Sequence, residues 1–187
     1  MAMYPKLQTD AIVIASYAHK ENDRVFVLYT KEFGLLHARA LSGRKLSSKL
    51  KHSISGYLIS QMTLIRGKSG WRIVEAHEPD FHVSSFQIYK LHSLYRVFKR
   101  VLDMATPSET NTELFNLLKS IILAYRNGHN TLALLEVGAL HDVLARLGYI
   151  NAAPFCFENG ELNLLAIENK QEDISAKIQN AIESSHL

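Results

Sequence analysis

A chain of 187 residues, 47% of them hydrophobic, can bury a core of its own and is long enough for one compact domain or two small ones. No apolar run approaches the roughly 18 to 20 residues that cross a bilayer, and the amino-terminal MAMYPKLQTD lacks the apolar centre of a signal peptide, so a soluble cytoplasmic protein is expected; the single cysteine, Cys156, excludes an internal disulfide framework and any zinc site built from paired cysteines. The net charge of +3 hides an asymmetry: from Lys31 to Arg72 nine cations stand against one acid, Glu32, whereas after Asn151 only Lys170 and Lys177 face Glu158, Glu161, Glu168, Glu172, Asp173 and Glu183.

The first half reads as short strands. DAIVIAS (10–16) and RVFVLYT (24–30) are β-branched and aromatic runs parted by the polar HKEND. GLLHARAL (34–41) follows the break at Gly34, with Leu36, Ala38 and Ala40 on one face and His37 and Arg39 on the other. Beyond a long insertion come GYLISQMTLIR (56–66) and WRIVEA (71–76), joined by GKSG, whose glycines suit a hairpin turn. Five strands of this length are too few for a large sandwich, but they can close into a small OB-like barrel that has no exposed edges. The insertion from Leu41 to Ser55 would lie over a rim or an end of it.

Past Pro79 the hydrophobic period changes from two to about three and a half. Leu91, Leu94, Tyr95, Phe98, Val101 and Leu102 form one apolar stripe, ended by Pro107. Thr110-x-x-Glu113 has the pattern of a capping box, opening a helix with the stripe Leu114, Leu117, Leu118, Ile121 and Tyr125. RNGHN breaks it, and a third helix is expected from Thr131 to Leu147, with Val137, Leu140, Leu144 and Leu147 inward and Gly148 as its stop. Such helices pack as a bundle. FCF and LNLLAI around the turn ENG suggest a hairpin, and EDISAKIQNAIES a last amphipathic helix. The expected fold class is therefore all-β plus all-α: an OB-like barrel over residues 1–79, then a helical domain over 80–187 that ends in a short hairpin and helix.

The stretch SGRKLSSKLKH (42–52) places Arg44, Lys45, Lys49, Lys51 and His52 together without an acid. The excess continues into Arg39, Arg66, Lys68 and Arg72, on segments that should build one barrel, and like charges gathered there repel one another unless an anionic partner relieves them. Lys and Arg bind phosphates by releasing counterions, Ser42, Ser47 and Ser48 can donate to phosphate oxygens, and Gly43 and Gly67 allow close backbone approach. Unpaired bases also need aromatic platforms, for which Trp71, Tyr57 and Tyr29 are candidates. Trp71 is preferred because it begins its strand between Lys68 and Arg72, whereas the other two read more readily as core. Arg96, Lys99 and Arg100 share a face of the first helix, with His92 one turn earlier, and suit DNA or an acidic protein segment.

Glu21-x-Asp23-Arg24, the apolar run after it, Tyr29-Thr30, Gly34-Leu35, the basic stretch opening at Gly43-Arg44 with Ser48 and Leu50, and Leu147-Gly148-Tyr149 form an ordered set across roughly residues 10–156. This set resembles the RecO family of recombination mediators. The resemblance implies an OB-fold that binds DNA and a helical domain that contacts partner proteins. It also implies a non-enzymatic role: binding single- and double-stranded DNA, annealing strands, and helping to load recombinase on strands coated with single-stranded-DNA-binding protein. A RecR-like protein and the acidic, apolar tail of single-stranded-DNA-binding protein are the partners it suggests, in a bacterial, nucleoid-associated setting. Many family members carry a four-cysteine zinc module after the helices; here only Cys156 lies near that place, so no metal cofactor is carried over.

Nothing in the sequence suggests catalysis. A phosphate loop, GxSxG, HExxH and GxGxxG are all missing. His77 and His82, with Glu78 and Asp80 between them, lack helix spacing and a third ligand site, and Cys156 has no identifiable base. Glu21 and Asp23 read as a turn between strands. The competing reading is an OB-barrel adaptor that assembles proteins and carries its basic surface incidentally.

Overall fold

The computed structural model describes residues 4–19, 23–40, 59–77, 88–127, 132–158 and 161–185. Strands β1 (Lys6–His19), β2 (Asp23–Thr30), β3 (Gly34–Ala40), β4 (Ile59–Gly67) and β5 (Gly70–Ala76) form a closed OB-like barrel in the order β1-β2-β3-β5-β4. All neighbours are antiparallel except β3 and β5, which run parallel through two pairs, Ala38 with Trp71 and Arg39 with Arg72. β1 is the longest strand and pairs with both β2 and β4, which closes the sheet on itself. The expected alternation of β3 holds: Leu36, Ala38 and Ala40 enter the core with Ala11, Val13, Phe26, Leu28, Met62, Leu64 and Ile73, while His37 is exposed.

A register shift between Val13 and Ala15 breaks the β1–β2 ladder. Before it, Ala11 and Val13 point into the core; after it, Ser16 stands opposite the core residue Phe26, and Ala15 and Tyr17 point the other way. One extra residue reverses the sides for the rest of the strand.

The chain divides into two compact units, and the barrel unit includes Thr106–Thr112 as well as Met1–Ser85. That short segment lies against the start of β3: the Ser108 amide donates to the Leu35 carbonyl at 2.9 Å, and Leu35 bridges Pro107. Gly34, at φ +64°, makes the approach possible, since a Cβ there would stand 2.1 Å from the Glu109 carbonyl oxygen. The boundary expected between residues 79 and 80 lies outside the described residues.

The second unit contains α1 (Ile88–Met104), α2 (Thr112–Asn127), α3 (Leu132–Arg146), a two-stranded pair of β6 (Phe157–Glu158) and β7 (Glu161–Leu162), α4 (Leu164–Glu168) and α5 (Gln171–Ser184). The α1 stripe is rotated from the expected one. Ser93, Leu94, Val97, Phe98, Val101 and Met104 are buried, and Tyr95 is 49% exposed. Polar Ser93 can turn inward because its hydroxyl meets the Tyr125 hydroxyl at 2.8 Å and the Glu136 carboxylate at 2.6 Å. α2 starts at Thr112, and Glu113 accepts a hydrogen bond from Arg146 of α3. α3 ends as expected at Gly148, φ +83°, where the Gly148 amide donates to Ala145 and the Tyr149 amide to Leu144, the paired bonds of a left-handed helix stop. The expected hairpin is shorter than LNLLAI suggests. Only Glu161 and Leu162 pair, and Asn163 then caps α4 by accepting from the Ala166 amide. Among the described residues no helix is long and apolar enough to cross a membrane.

Candidate nucleic-acid interface

Closure of the barrel brings cations that are far apart in sequence onto neighbouring strands. The register runs across the sheet from Tyr17 to Val25, Arg39, Arg72, Ile65 and Lys6, each opposite the next, and returns to β1. Arg66 stands opposite Trp71 one position further along, and Lys68 is exposed in the β4–β5 turn; Arg24, exposed at the start of β2, lies toward the other end of the barrel, opposite Ala18 and Ala40. Arg39 donates to the Ser69 carbonyl of that turn at 3.4 Å, so the end of β3 is tied to the hairpin. Among the described residues Arg24, Arg39, Arg66, Lys68 and Arg72 form no ion pair with a carboxylate. Lys6 differs: it meets Glu75 at 3.1 Å, and that hydrogen bond holds the Glu75 carboxyl below its usual range. Among the described residues Glu32 is no ion-pair partner of these cations: it accepts from Thr9 in the β2–β3 turn, which lies at the same end of the barrel as the β4–β5 turn because β3 and β5 run parallel. The cations of β3, β4 and β5 gather on the side of the rim formed by the β4–β5 turn.

The aromatic candidates separate. Tyr29 is buried and belongs to the core; burial, with Glu109 adding, pushes its hydroxyl up to about 12. Trp71 is half-buried at the edge of the barrel core, its ring 5.1 Å from that of Phe33 and 5.5 Å from the Arg66 guanidinium. Arg66 thus covers the indole as a cation–π partner. The sequence reading did not single out Tyr17, Arg24 or Phe33. Tyr17 is 48% exposed on the same cross-strand row as Arg39 and Arg72. Arg44, Lys45, Lys49, Lys51, His52 and Tyr57, and the serines of the basic stretch, lie outside the described residues.

The α1 cations are largely occupied. Arg96 makes a two-pronged contact with Glu136, and Lys99 meets Asp103 at 2.8 Å. Burial alone would raise the Glu136 carboxyl, but hydrogen bonds from Arg96 and Ser93 outweigh it and hold it below its usual value. Of the three, Arg100 alone has no carboxylate partner among the described residues. Ile88, 72% exposed, and Tyr95 share one side of α1, and Arg100 lies on a different side of the same helix.

A buried polar cluster lies in the helical unit, where His141, Asp142 and Cys156 bring three ligand-type atoms within 4.8 Å of one another. Asp142 is already saturated. Its oxygens accept from the Phe155, Cys156 and Phe157 amides at 3.1, 2.9 and 3.0 Å, and from His141 Nδ1 at 2.9 Å. Burial, reinforced by the Asp142 charge, pushes the Cys156 thiol well up, so the thiolate a metal needs is disfavoured. One thiol, one committed carboxylate and one imidazole do not fit a four-cysteine zinc centre. The cluster is a hydrogen-bonded staple that holds the start of β6 to α3.

Residues 1–77 match the family model described as "Recombination protein O N terminal". The chain is 26% identical over 156 residues to the DNA repair protein RecO of Heliobacterium modesticaldum, a match covering 82% of this chain and 56% of that protein. It is 29% identical over 111 residues to the protein of the same description from Synechocystis sp., covering 59% and 41%. To that of Caldanaerobacter subterraneus subsp. tengcongensis it is 22% identical over 177 residues, covering 90% and 65%. The chain spans about half the length of the curated relatives it matches.

Proposed function

We propose that the chain, whose first 77 residues match the model described as "Recombination protein O N terminal", is a RecO-type, non-enzymatic DNA-binding mediator of recombinational repair, acting in the bacterial cytoplasm close to the nucleoid. It binds single- and double-stranded DNA, promotes annealing of complementary strands and helps to load recombinase on strands coated with single-stranded-DNA-binding protein. The observation that carries this reading is the gathering of Arg39, Arg66, Lys68 and Arg72 on the neighbouring strands β3, β4 and β5 and their turn, without carboxylate partners among the described residues. Such a surface recognises phosphate rather than sequence, with affinity that falls steeply with salt. Arg44, Lys45, Lys49 and Lys51 add charge from the segment between β3 and β4.

A mediator must also engage proteins. Exposed Ile88 and Tyr95 on one side of α1 offer apolar contact, and Arg100 of the same helix offers a cation, chemistry that suits the acidic, apolar tail of single-stranded-DNA-binding protein. A RecR-like protein is the second proposed partner.

The test is a strand-annealing assay on complementary oligonucleotides, naked and coated with single-stranded-DNA-binding protein. Acceleration on both substrates is the expected result. Acceleration on naked strands alone removes the mediator role and leaves DNA binding. Absence of both, with no binding to either strand form, supports the protein adaptor instead.

A further inference from the structure

We propose that Tyr17 is a base-stacking platform that gives the cationic surface of the barrel its preference for unpaired over duplex DNA, an inference that rests on the DNA-binding reading above. The first observation is the extra residue in β1. Up to Val13 the odd-numbered side chains of the strand point into the barrel, and without the register shift Tyr17 would follow them. The shift turns Tyr17 outward onto the row that holds Arg39 and Arg72. Bulges commonly re-aim a side chain in this way beside binding sites.

The second observation is how the ring lies. Tyr17 is on β1, yet its hydroxyl is 3.3 Å from Nδ1 of His37 on β3, with ring centroids 6.4 Å apart and planes inclined at 62°. To reach β3 the side chain must cross β2, which separates the two strands by about 10 Å in all. It passes over Val25, its partner in the ladder, and Val27, the partner of His37, and both valines are buried. One side of the phenol therefore rests on the sheet. The residue is nevertheless 48% exposed, so the other side faces solvent. The His37 contact is made at the hydroxyl tip and holds the ring down without covering that face.

A flat aromatic surface, anchored at its far end and lying about 10 Å and about 14 Å along the same cross-strand row from Arg39 and Arg72, meets the requirements for holding one unstacked base while neighbouring phosphates of the strand meet those arginines. Duplex bases are stacked on their neighbours and present no free face to it. The rim cations attract both forms of DNA, and Tyr17 distinguishes between them.

The test measures binding of a labelled oligothymidine and of a duplex of equal length, at one salt concentration, to wild type, Tyr17→Phe, Tyr17→Leu and Tyr17→Ala, each checked for native secondary structure by circular dichroism. Leucine still covers Val25 and Val27 but offers no aromatic face. Tyr17→Phe is expected to bind both within about twofold of wild type, while the Leu and Ala variants lose roughly 5- to 150-fold on the single strand and less than about twofold on the duplex. An equal loss on both forms, or no loss on the single strand, overturns the proposal and leaves the rim reading standing. A wild-type protein that binds neither form overturns both.

Discussion

The charge arrangement at the barrel rim makes a quantitative demand on salt dependence. Changing Arg39, Arg66, Lys68 and Arg72 together to glutamine removes four exposed or partly exposed cations that have no carboxylate partner among the described residues. On a single strand each phosphate neutralised contributes about 0.7 to the slope of log affinity against log salt, so the slope should fall by about 2.8. Between 50 and 200 mM salt, the advantage of wild type over the variant should therefore shrink by about 50-fold. Fluorescence anisotropy of a labelled oligonucleotide at four or five salt concentrations reads both slopes directly. Lys6→Gln is the internal control: its ammonium is already engaged by Glu75, so its slope should match wild type. A quadruple variant whose slope falls by less than about 0.7, one contact's worth, would refute the idea that this end of the barrel grips phosphate.

Asp142→Asn tests the staple. An amide has a single acceptor oxygen, so it must turn its NH2 toward amides that now donate to Asp142; losing two hydrogen bonds to a charged acceptor costs about 3 to 6 kcal/mol. A urea midpoint change worth less than about 1 kcal/mol would show that the carboxylate is not what holds β6. Gly34→Ala should cost about 2 to 4 kcal/mol by thermal unfolding, because the methyl meets the Glu109 backbone at a positive φ; a neutral result would place Thr106–Thr112 elsewhere. For Glu136 the folded carboxyl titrates below its ordinary value of 4.5, so its contribution is complete above that pH and disappears as pH falls through the lower, folded value. Glu136→Gln should therefore be less stable than wild type at neutral pH, by about 1 to 2 kcal/mol after allowing for the exposure of Arg96, and the gap should close in acid. A gap that stays constant as the pH is lowered through the acid range contradicts the assignment.

Strand alternation made the barrel legible, most clearly in β3, where Leu36, Ala38 and Ala40 against His37 and Arg39 anticipate which side chains enter the core. The charge excess was visible as well, but its assembly depends on closure. Arg39 meets Arg72 only through the parallel β3–β5 pairing, which no local pattern encodes. Tyr17 escaped notice because a one-residue shift at Ile14 changes which side an apolar run presents, and Ile14 looks like any other strand residue. On α1 the hydrophobic count favoured Tyr95 over Ser93, since hydropathy cannot register a serine whose bonds are satisfied by Tyr125 and Glu136. Asp142 was equally hidden: its partners are backbone amides of 155–157, and no residue identity there announces them.

The double pairing of β1 has a bearing on how the molecule assembles. Ile12 pairs with Tyr29 through a single hairpin, but with Ile59 only after β2, β3 and all the chain up to β4 have been enclosed. Loop closure over so long a span is entropically slower than hairpin formation, so the β1–β2–β3 meander and the β4–β5 hairpin precede the ladder that joins them. The two-pair β3–β5 contact can form only once both pieces have met. A chain halted before that step would have most of its strands in place and still lack the juxtaposed arginines, so the surface proposed to hold phosphate is completed only when the two pieces meet.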